Sequence, residues 1–369
     1  ARVSSILDRL NATRPGGTGG QDLRGFEWHY WDRLCHSDLM TMKFTHGRVT
    51  TGVQGVSFSP DGRRIAAVSA RVAKVWDAMT GQEVLTLEGP VNVTSRVAFS
   101  PNARWIASAY EDGTVKVWDA GTGQETLTLK TVESGDSVHT RYGQDVWFSP
   151  DGRRIAACAN SREAKVWDVQ TGEEALGSPI SAVAFSPDGR RMVSGNSDKT
   201  VTVWESETGQ ESLALSGLTD IDGVSSLAFS PDGRRIVGGG YNSTAIVYTA
   251  KVWDAETGQE TLTLELTPEE SKPTVWSMAF SPDSRRIVGV SYDKTLKMWD
   301  AETGSETLNL KGHAQTVVGV AFSPDGQRTA CGNGDGTLTV WDTETGKELL
   351  TLKTGHAYGV GSVAFSREG

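Results

Sequence analysis

Long apolar runs are missing from this 369-residue chain. No stretch reaches the roughly 20 apolar residues that a membrane-spanning helix needs, so no membrane insertion is expected of it. The opening "ARVSSILDRL" has neither an apolar signal-peptide core nor an initiating Met, which suggests a piece of something longer. Both absences point to a soluble protein and favour the cytoplasm over an extracytoplasmic site. Cysteine is scarce: Cys35, Cys158 and Cys331 are far apart and odd in number, which excludes a disulfide framework and any metal-binding spacing. Basic excess is also lacking. The net charge of −10 argues against a phosphate backbone as partner, so nucleic acid is not expected. The six histidines make no metal spacing, no serine sits in a nucleophile elbow, and no phosphate-binding loop occurs. These gaps exclude the common enzyme classes, and no cofactor or metal is expected.

What the chain does have is repetition. "FSPDGRRI" stands at 58–65, 148–155 and 229–236, with near-copies beginning at Phe99, Phe185, Phe280 and Phe322 and a truncated one at Phe365. A second string of the type "KVWDAETGQE" tracks it, with tryptophans at positions 76, 118, 167, 204, 253, 299 and 341. The period of roughly 43 residues matches the length of a four-stranded propeller blade.

One unit shows why. In 317–353, "VVGVAFS" is apolar and β-prone, as a strand covered on both faces should be. "SPDG" follows as a turn: Pro fixes φ, Asp caps, and Gly tolerates positive φ. "QRTACGN" is a short second strand of small residues, "TLTVWD" a third, and "KELLTLK" a fourth whose alternation fits one wet side. A sheet of four such strands cannot bury both faces alone, so copies must stack against it. The octapeptide is then the corner between the first two strands of every blade. Its Phe is expected in the core between blades and its Arg pair on the solvated surface.

At "GH…VAFSPDG…GDGTLTVWD" the chain resembles the WD40 repeat family, over about residues 39–365. The resemblance implies an all-β propeller of four-stranded antiparallel blades, seven of them or, alternatively, eight. It implies a top face formed by the loops from fourth to first strand and from second to third strand. Family members carry a His–Ser/Thr–Asp–Trp hydrogen-bond relay. Here only the last full blade keeps His313, Asp335 and Trp341, with Cys331 or Gly332 at the hydroxyl position. That trio is expected to be a structural brace.

Closure is awkward. "LMTMKF" at 39–44 reads as an outer strand left over before the first full repeat of 52–353, and a partial repeat at 359–369 adds a surplus inner strand. Either seven blades leave these strands outside the ring, or the array runs into an eighth repeat. Residues 1–38 break the pattern: Leu23, Phe26, Tyr30 and Leu34 share one helical face behind Asp22 as N-cap. "QDLRGFEWHYWDRLCHSDL" resembles the segment that precedes WD40 repeats in planctomycete-type, membrane-anchored bacterial Ser/Thr kinases, although the chain holds no kinase motif.

Function is expected on the top face, as a protein or peptide scaffold. Three insertions, at 131–144, 241–250 and 265–274, lengthen top loops of the third, fifth and sixth repeats. Two places before the "V/M-A-F" of each first strand stand Gln54, Ser95, Gln144, Ser181, Ser225, Trp276 and Val318. Trp276 is the one aromatic among them and a candidate anchor. Tyr142, Tyr241, Tyr292 and Arg141 fall in neighbouring top loops. The competing reading packs Trp276 beneath the 265–274 loop.

Overall fold

The fold was analysed in a computed structural model that describes residues 55–69, 72–90, 94–110, 112–131, 145–159, 163–178, 180–196, 199–218, 221, 223–241, 248–266, 275–291, 296–310, 317–353, 363 and 365. The chain divides into two compact units, Ala1–His46 and Gly47–Gly369. The expected N-terminal helix and the strand at 39–44 lie outside the described residues.

Alternating β-branched and small residues between Gly-containing turns give 28 strands among the described residues, in seven antiparallel sheets of four. Blade 1 holds β1–β4 (Gly55–Phe58, Arg64–Ser69, Val72–Asp77, Glu83–Glu88) and blade 2 holds β5–β8 (Thr94–Phe99, Trp105–Tyr110, Thr114–Asp119, Glu125–Lys130). Blade 3 is β9–β12 (Asp145–Phe148, Arg154–Ala159, Glu163–Asp168, Glu174–Ser178) and blade 4 is β13–β16 (Ile180–Phe185, Arg191–Asn196, Val201–Glu205, Glu211–Leu215). Blade 5 is β17–β20 (Gly223–Phe229, Arg235–Tyr241, Tyr248–Asp254, Glu260–Leu266), and blade 6 is β21–β24 (Val275–Phe280, Arg286–Ser291, Leu296–Asp300, Glu306–Leu310). Blade 7 is β25–β28 (Val317–Phe322, Arg328–Asn333, Thr337–Asp342, Glu348–Lys353). Within each blade the strands pair in chain order. The chain is thus a seven-bladed propeller, and no helix occurs among the described residues.

Among the described residues six apolar cores join consecutive blades, and they share one rule. Each blade offers a large ridge backwards and a small-residue trough forwards. Between blades 5 and 6 the ridge of Phe280, Ile287 and Trp299 enters a trough of Val237, Ala250, Val252 and Leu264. Glycine in the second strand makes room for the indole: a Cβ on Gly238 would lie 2.9 Å from Trp253, and one on Gly289 3.0 Å from Trp299. Burying such side chains contributes roughly 1.5–3 kcal/mol each, which is why stacking stabilises what a lone sheet cannot.

The octapeptide corner is a hydrogen-bonded device. In blade 1 the Ser59 hydroxyl, itself buried, donates to Asp61 Oδ1 at 2.6 Å and accepts from the Arg64 backbone N–H at 2.8 Å. Asp61 also receives the Arg63 N–H at 3.1 Å, and Gly62 holds the left-handed φ of 68° that the turn requires. The same network recurs at Ser149, Ser186, Ser230, Ser281 and Ser323, and at Ser100 with Asn102 in place of aspartate. Alanine and serine stand in for the glycine at Ala103 (φ 56°) and Ser284 (φ 61°).

The Arg pair corrects the expectation of a solvated surface. The first arginine, as at Arg63 and Arg234, is exposed. The second reaches across to the next blade. Arg235 donates to the carbonyls of Ala301 and of Ser284 (2.5 Å) in blade 6 and lies 5.7 Å over the Phe280 ring. Arg64 does the same for Ala120, Ala103 and Phe99 of blade 2, and Arg191 for Ala255, Gly233 and Phe229 of blade 5. The corner of one blade therefore clamps the turns of its neighbour, because guanidinium presents several donors in one plane.

Outer strands are tied on by ion pairs. Lys74, Lys165, Lys251 and Lys297 on third strands meet Glu83, Glu174, Glu260 and Glu306 on fourth strands at 2.6, 2.8, 2.7 and 2.9 Å.

Arg235→Ala is expected to lower unfolding free energy by about 1–3 kcal/mol in chemical denaturation, since two buried carbonyls lose a charged donor. Arg234→Ala should change it by less than about 0.5 kcal/mol. Hydrogen bonding from the corner serine is the main cause that holds Asp61, Asp188 and Asp325 below the usual carboxylate range. A carboxylate lowered by folding adds stability above its unfolded value of about 3.9 and loses it as pH falls through the folded value. The melting temperature should stay flat from about pH 7 to 5 and drop below about pH 4.

Candidate interaction face and blade braces

First strands of adjoining blades pack on one another while fourth strands turn every other residue to solvent, so the first strands line the hub. In blades 2, 4, 5, 6 and 7 the first strand carries one extra residue against its partner, between Thr94 and Arg96, Ile180 and Ala182, Val224 and Ser226, Val275 and Ser277, and Val317 and Gly319. These bulged positions are Ser95, Ser181, Ser225, Trp276 and Val318, the residues the sequence pattern marks two places before "V/M-A-F". A β-bulge leaves its extra residue out of the ladder and re-aims it. Gln54, Gln144, Arg141, Tyr142 and Tyr292 lie outside the described residues. Tyr241 ends β18, where it pairs with Gly223. Strands reach further into the 241–250 insertion than expected, since β18 runs to Tyr241 and β19 begins at Tyr248.

The bracing hydrogen bonds are more varied than the sequence showed. In blade 7 the Trp341 indole N–H donates to Cys331 Sγ at 3.3 Å, which places the sulfur, not Gly332, at the hydroxyl position. Burial pushes the Cys331 thiol up to about 11. Asp335 is exposed and accepts the Thr337 N–H at 3.0 Å and its hydroxyl at 2.6 Å, closing the turn between second and third strands. His313 lies outside the described residues. Blade 4 keeps a Trp204 to Ser194 bond at 2.7 Å, and the Trp253 indole of blade 5 instead donates to the Ser216 carbonyl at 2.8 Å.

Blade 2 holds a relay that the search for histidines missed. Trp118 donates to Ser108 Oγ at 2.9 Å, and Ser108 donates to the Tyr110 phenol oxygen at 3.0 Å. Tyr110 is fully buried, and loss of solvation raises its pKa to about 12, so it stays neutral. Its ring fills the space over Gly89, where a Cβ would sit 2.1 Å from it. The signal was present in "EGP…SAYEDG": a glycine without the following histidine, and an aromatic two places after the serine.

Sequence reasoning also passed over Trp147, which stands where the other first strands carry Ala or Ser. With Phe148, Phe185, Leu227 and Phe229 it lines an apolar depression of about 270 Å³ along the first strands of blades 3 to 5. Among the described residues no cluster of His, Cys, Asp or Glu could hold a metal ion, and no helix is long and apolar enough to cross a membrane.

Seven repeats, each with an inter-strand corner, a third-strand tryptophan and an outer strand, define a repeat propeller. The chain matches the family "WD domain, G-beta repeat" over residues 39–77, 81–119, 135–168, 171–205, 215–254, 260–300 and 304–342, and it belongs to that WD40 family. Propellers of this family are generally non-catalytic interaction scaffolds. No curated protein matches the chain. Among solved structures it is similar to the computationally designed Ika8 protein, at 30% identity and a TM-score of 0.68, over 86% of this chain and 91% of that one.

Cys331→Ser replaces a weak sulfur acceptor with the hydroxyl that serves Trp118 and Trp204. It is expected to raise stability by up to about 1 kcal/mol, read by chemical denaturation. The wild-type thiol should resist a thiol reagent in the native state and react fully once unfolded.

Proposed function

We propose that the chain is a non-catalytic scaffold that presents the top face of its propeller to a protein or peptide. Trp276 is the anchor, with Tyr142, Arg141, Tyr241, Tyr292 and Gln144 around it. The supporting observation is the placement of Trp276 at a first-strand bulge. The bulges of the other blades where one is described carry serine or valine, so Trp276 is the one aromatic at this backbone position among them. An aromatic on a rigid strand loses little entropy on binding, which is what makes such residues energetic centres of interfaces. A net charge of −10 fits a neutral or basic peptide better than an acidic one.

The N-terminal segment's likeness to kinase-linked propellers adds a context for this reading. There the scaffold would serve as the sensor or regulatory module of a larger Ser/Thr kinase-like protein.

A displayed peptide library selected on the purified chain supplies a ligand for the test. Trp276→Ala should keep the wild-type melting temperature and weaken that ligand at least tenfold, an outcome that corresponds to about 1.4 kcal/mol or more. A loss of melting temperature with unchanged affinity would make Trp276 a packing residue and defeat the proposal.

A further inference from the structure

The corners between first and second strands form a collar at one end of the hub. They touch in series: a Cβ on Gly152 would lie 3.4 Å from Asn102, one on Gly189 3.4 Å from Asp151, and one on Gly233 3.7 Å from Pro187. The Asp232 N–H donates to Ser284 Oγ at 3.1 Å and ties the fifth corner to the sixth. The bulges of Ser181, Ser225 and Trp276 lie at the start of their first strands and the collar follows their end, so the two mark opposite ends of the hub.

The collar is basic although the chain is acidic. Arg153, Arg190 and Arg234 are exposed, and among the described residues their guanidinium groups make no hydrogen bond or ion pair. The aspartate two places before each is held by its serine hydroxyl and by a backbone N–H. In these three corners three aspartates stand against six arginines. Farther out, on the turns between third and fourth strands, Glu207 and Glu256 are exposed. A basic inner ring is thus bounded by an acidic outer one.

Beside these corners lies the apolar depression of about 270 Å³. Its lining includes Pro150 of the third corner and Phe148, Phe185 and Phe229, which end their first strands. Trp147 contributes to its wall, and the core between blades 3 and 4 that it packs on is the sparsest described, with Ala156, Val166, Val183 and Met192 buried in it. The volume falls below the roughly 300–1,000 Å³ of small-molecule pockets and suits a single large side chain.

We propose that this end of the hub docks an acidic peptide segment of a partner protein. One large apolar side chain sits in the depression, and flanking carboxylates meet Arg153, Arg190 and Arg234. Arginine suits carboxylates because its planar fork donates two parallel N–H bonds. The apolar side chain supplies the burial that exposed ion pairs lack, since each such pair contributes little in water. The outer glutamates repel the same carboxylates and keep the segment centred. The site shares no residue with the face around Trp276.

The probe is a labelled synthetic peptide with Glu and Asp on both sides of a central Phe, titrated with the full chain and read by fluorescence anisotropy. Saturable binding is expected below about 1 mM. Replacing the central Phe by Ala should weaken it at least tenfold. Arg190→Glu together with Arg234→Glu, at exposed positions, should keep the melting temperature and weaken binding at least tenfold. Trp147→Ala, which installs the residue that Ala98 and Ala184 represent in neighbouring first strands, should also weaken it. Trp276→Ala should leave it unchanged. Absence of saturable binding would overturn the proposal, as would equal affinity for the Ala-centred peptide, for the charge-reversed chain or for Trp147→Ala. A short RNA that competes as well as the Phe peptide would make the collar a general polyanion surface and likewise overturn it. Loss of binding in Trp276→Ala but not in the arginine variant would move the ligand to the other end of the hub and defeat the proposal.

Discussion

A four-stranded sheet of this composition has two apolar faces and nothing of its own to cover them. That constraint sets the rest of the structure. Each blade must meet a neighbour on both sides, and each meeting must have the same shape for the array to turn evenly. A ridge of Phe, Ile and Trp facing a trough of Ala, Val and Leu satisfies both conditions with one sequence unit. Interiors tolerate little mismatch, so the small residues of the second strands are as constrained as the large ones opposite them. Gly195 of blade 4 shows this across a junction, because a Cβ there would lie 2.4 Å from Val224 of blade 5, and Gly238 and Gly289 show it within a blade, each beside its own blade's buried indole.

The corner couples what happens inside a blade to what happens between blades. Serine and aspartate fix the turn, the turn fixes the backbone of the second arginine, and that arginine binds the carbonyls of the following blade. The full clamp forms after blades 1, 4 and 5, while blade 2 carries Trp105 in place of the second arginine; "SPDGRR" nonetheless varies less than the strands around it. Where the corner does vary the chemistry survives: Asn102 offers the same oxygen to Ser100 and Arg104 as aspartate does elsewhere.

Much of this was legible in the sequence. Repeat period, strand order and turn chemistry depend on local pattern, and blade 7 came out strand for strand. The positions two places before "V/M-A-F" stood out in the sequence by their fixed offset, but that five of them are bulges is visible only in the strand register. The inter-blade arginine was not, since its partners are carbonyls that are invisible in a one-letter code and lie 39 to 66 residues away. The Tyr110 relay was hidden for a related reason. A tyrosine from the second strand reaches the place that a histidine from a preceding loop was expected to fill, and only packing reveals the exchange. Trp147 gives no loop signal, because this aromatic sits within the strand itself.

A frame built from like junctions leaves variation to the loops and the hub, which is where a scaffold can acquire a partner without disturbing its fold. The account stands on the claim that blades hold one another up. The most direct test is to prepare residues 223–266, one complete blade with all of its internal hydrogen bonds, and to follow its circular dichroism with temperature beside that of the full chain. The account predicts a coil without a cooperative transition for the single blade and a cooperative melt for the whole. A single blade that folds and melts cooperatively would contradict it.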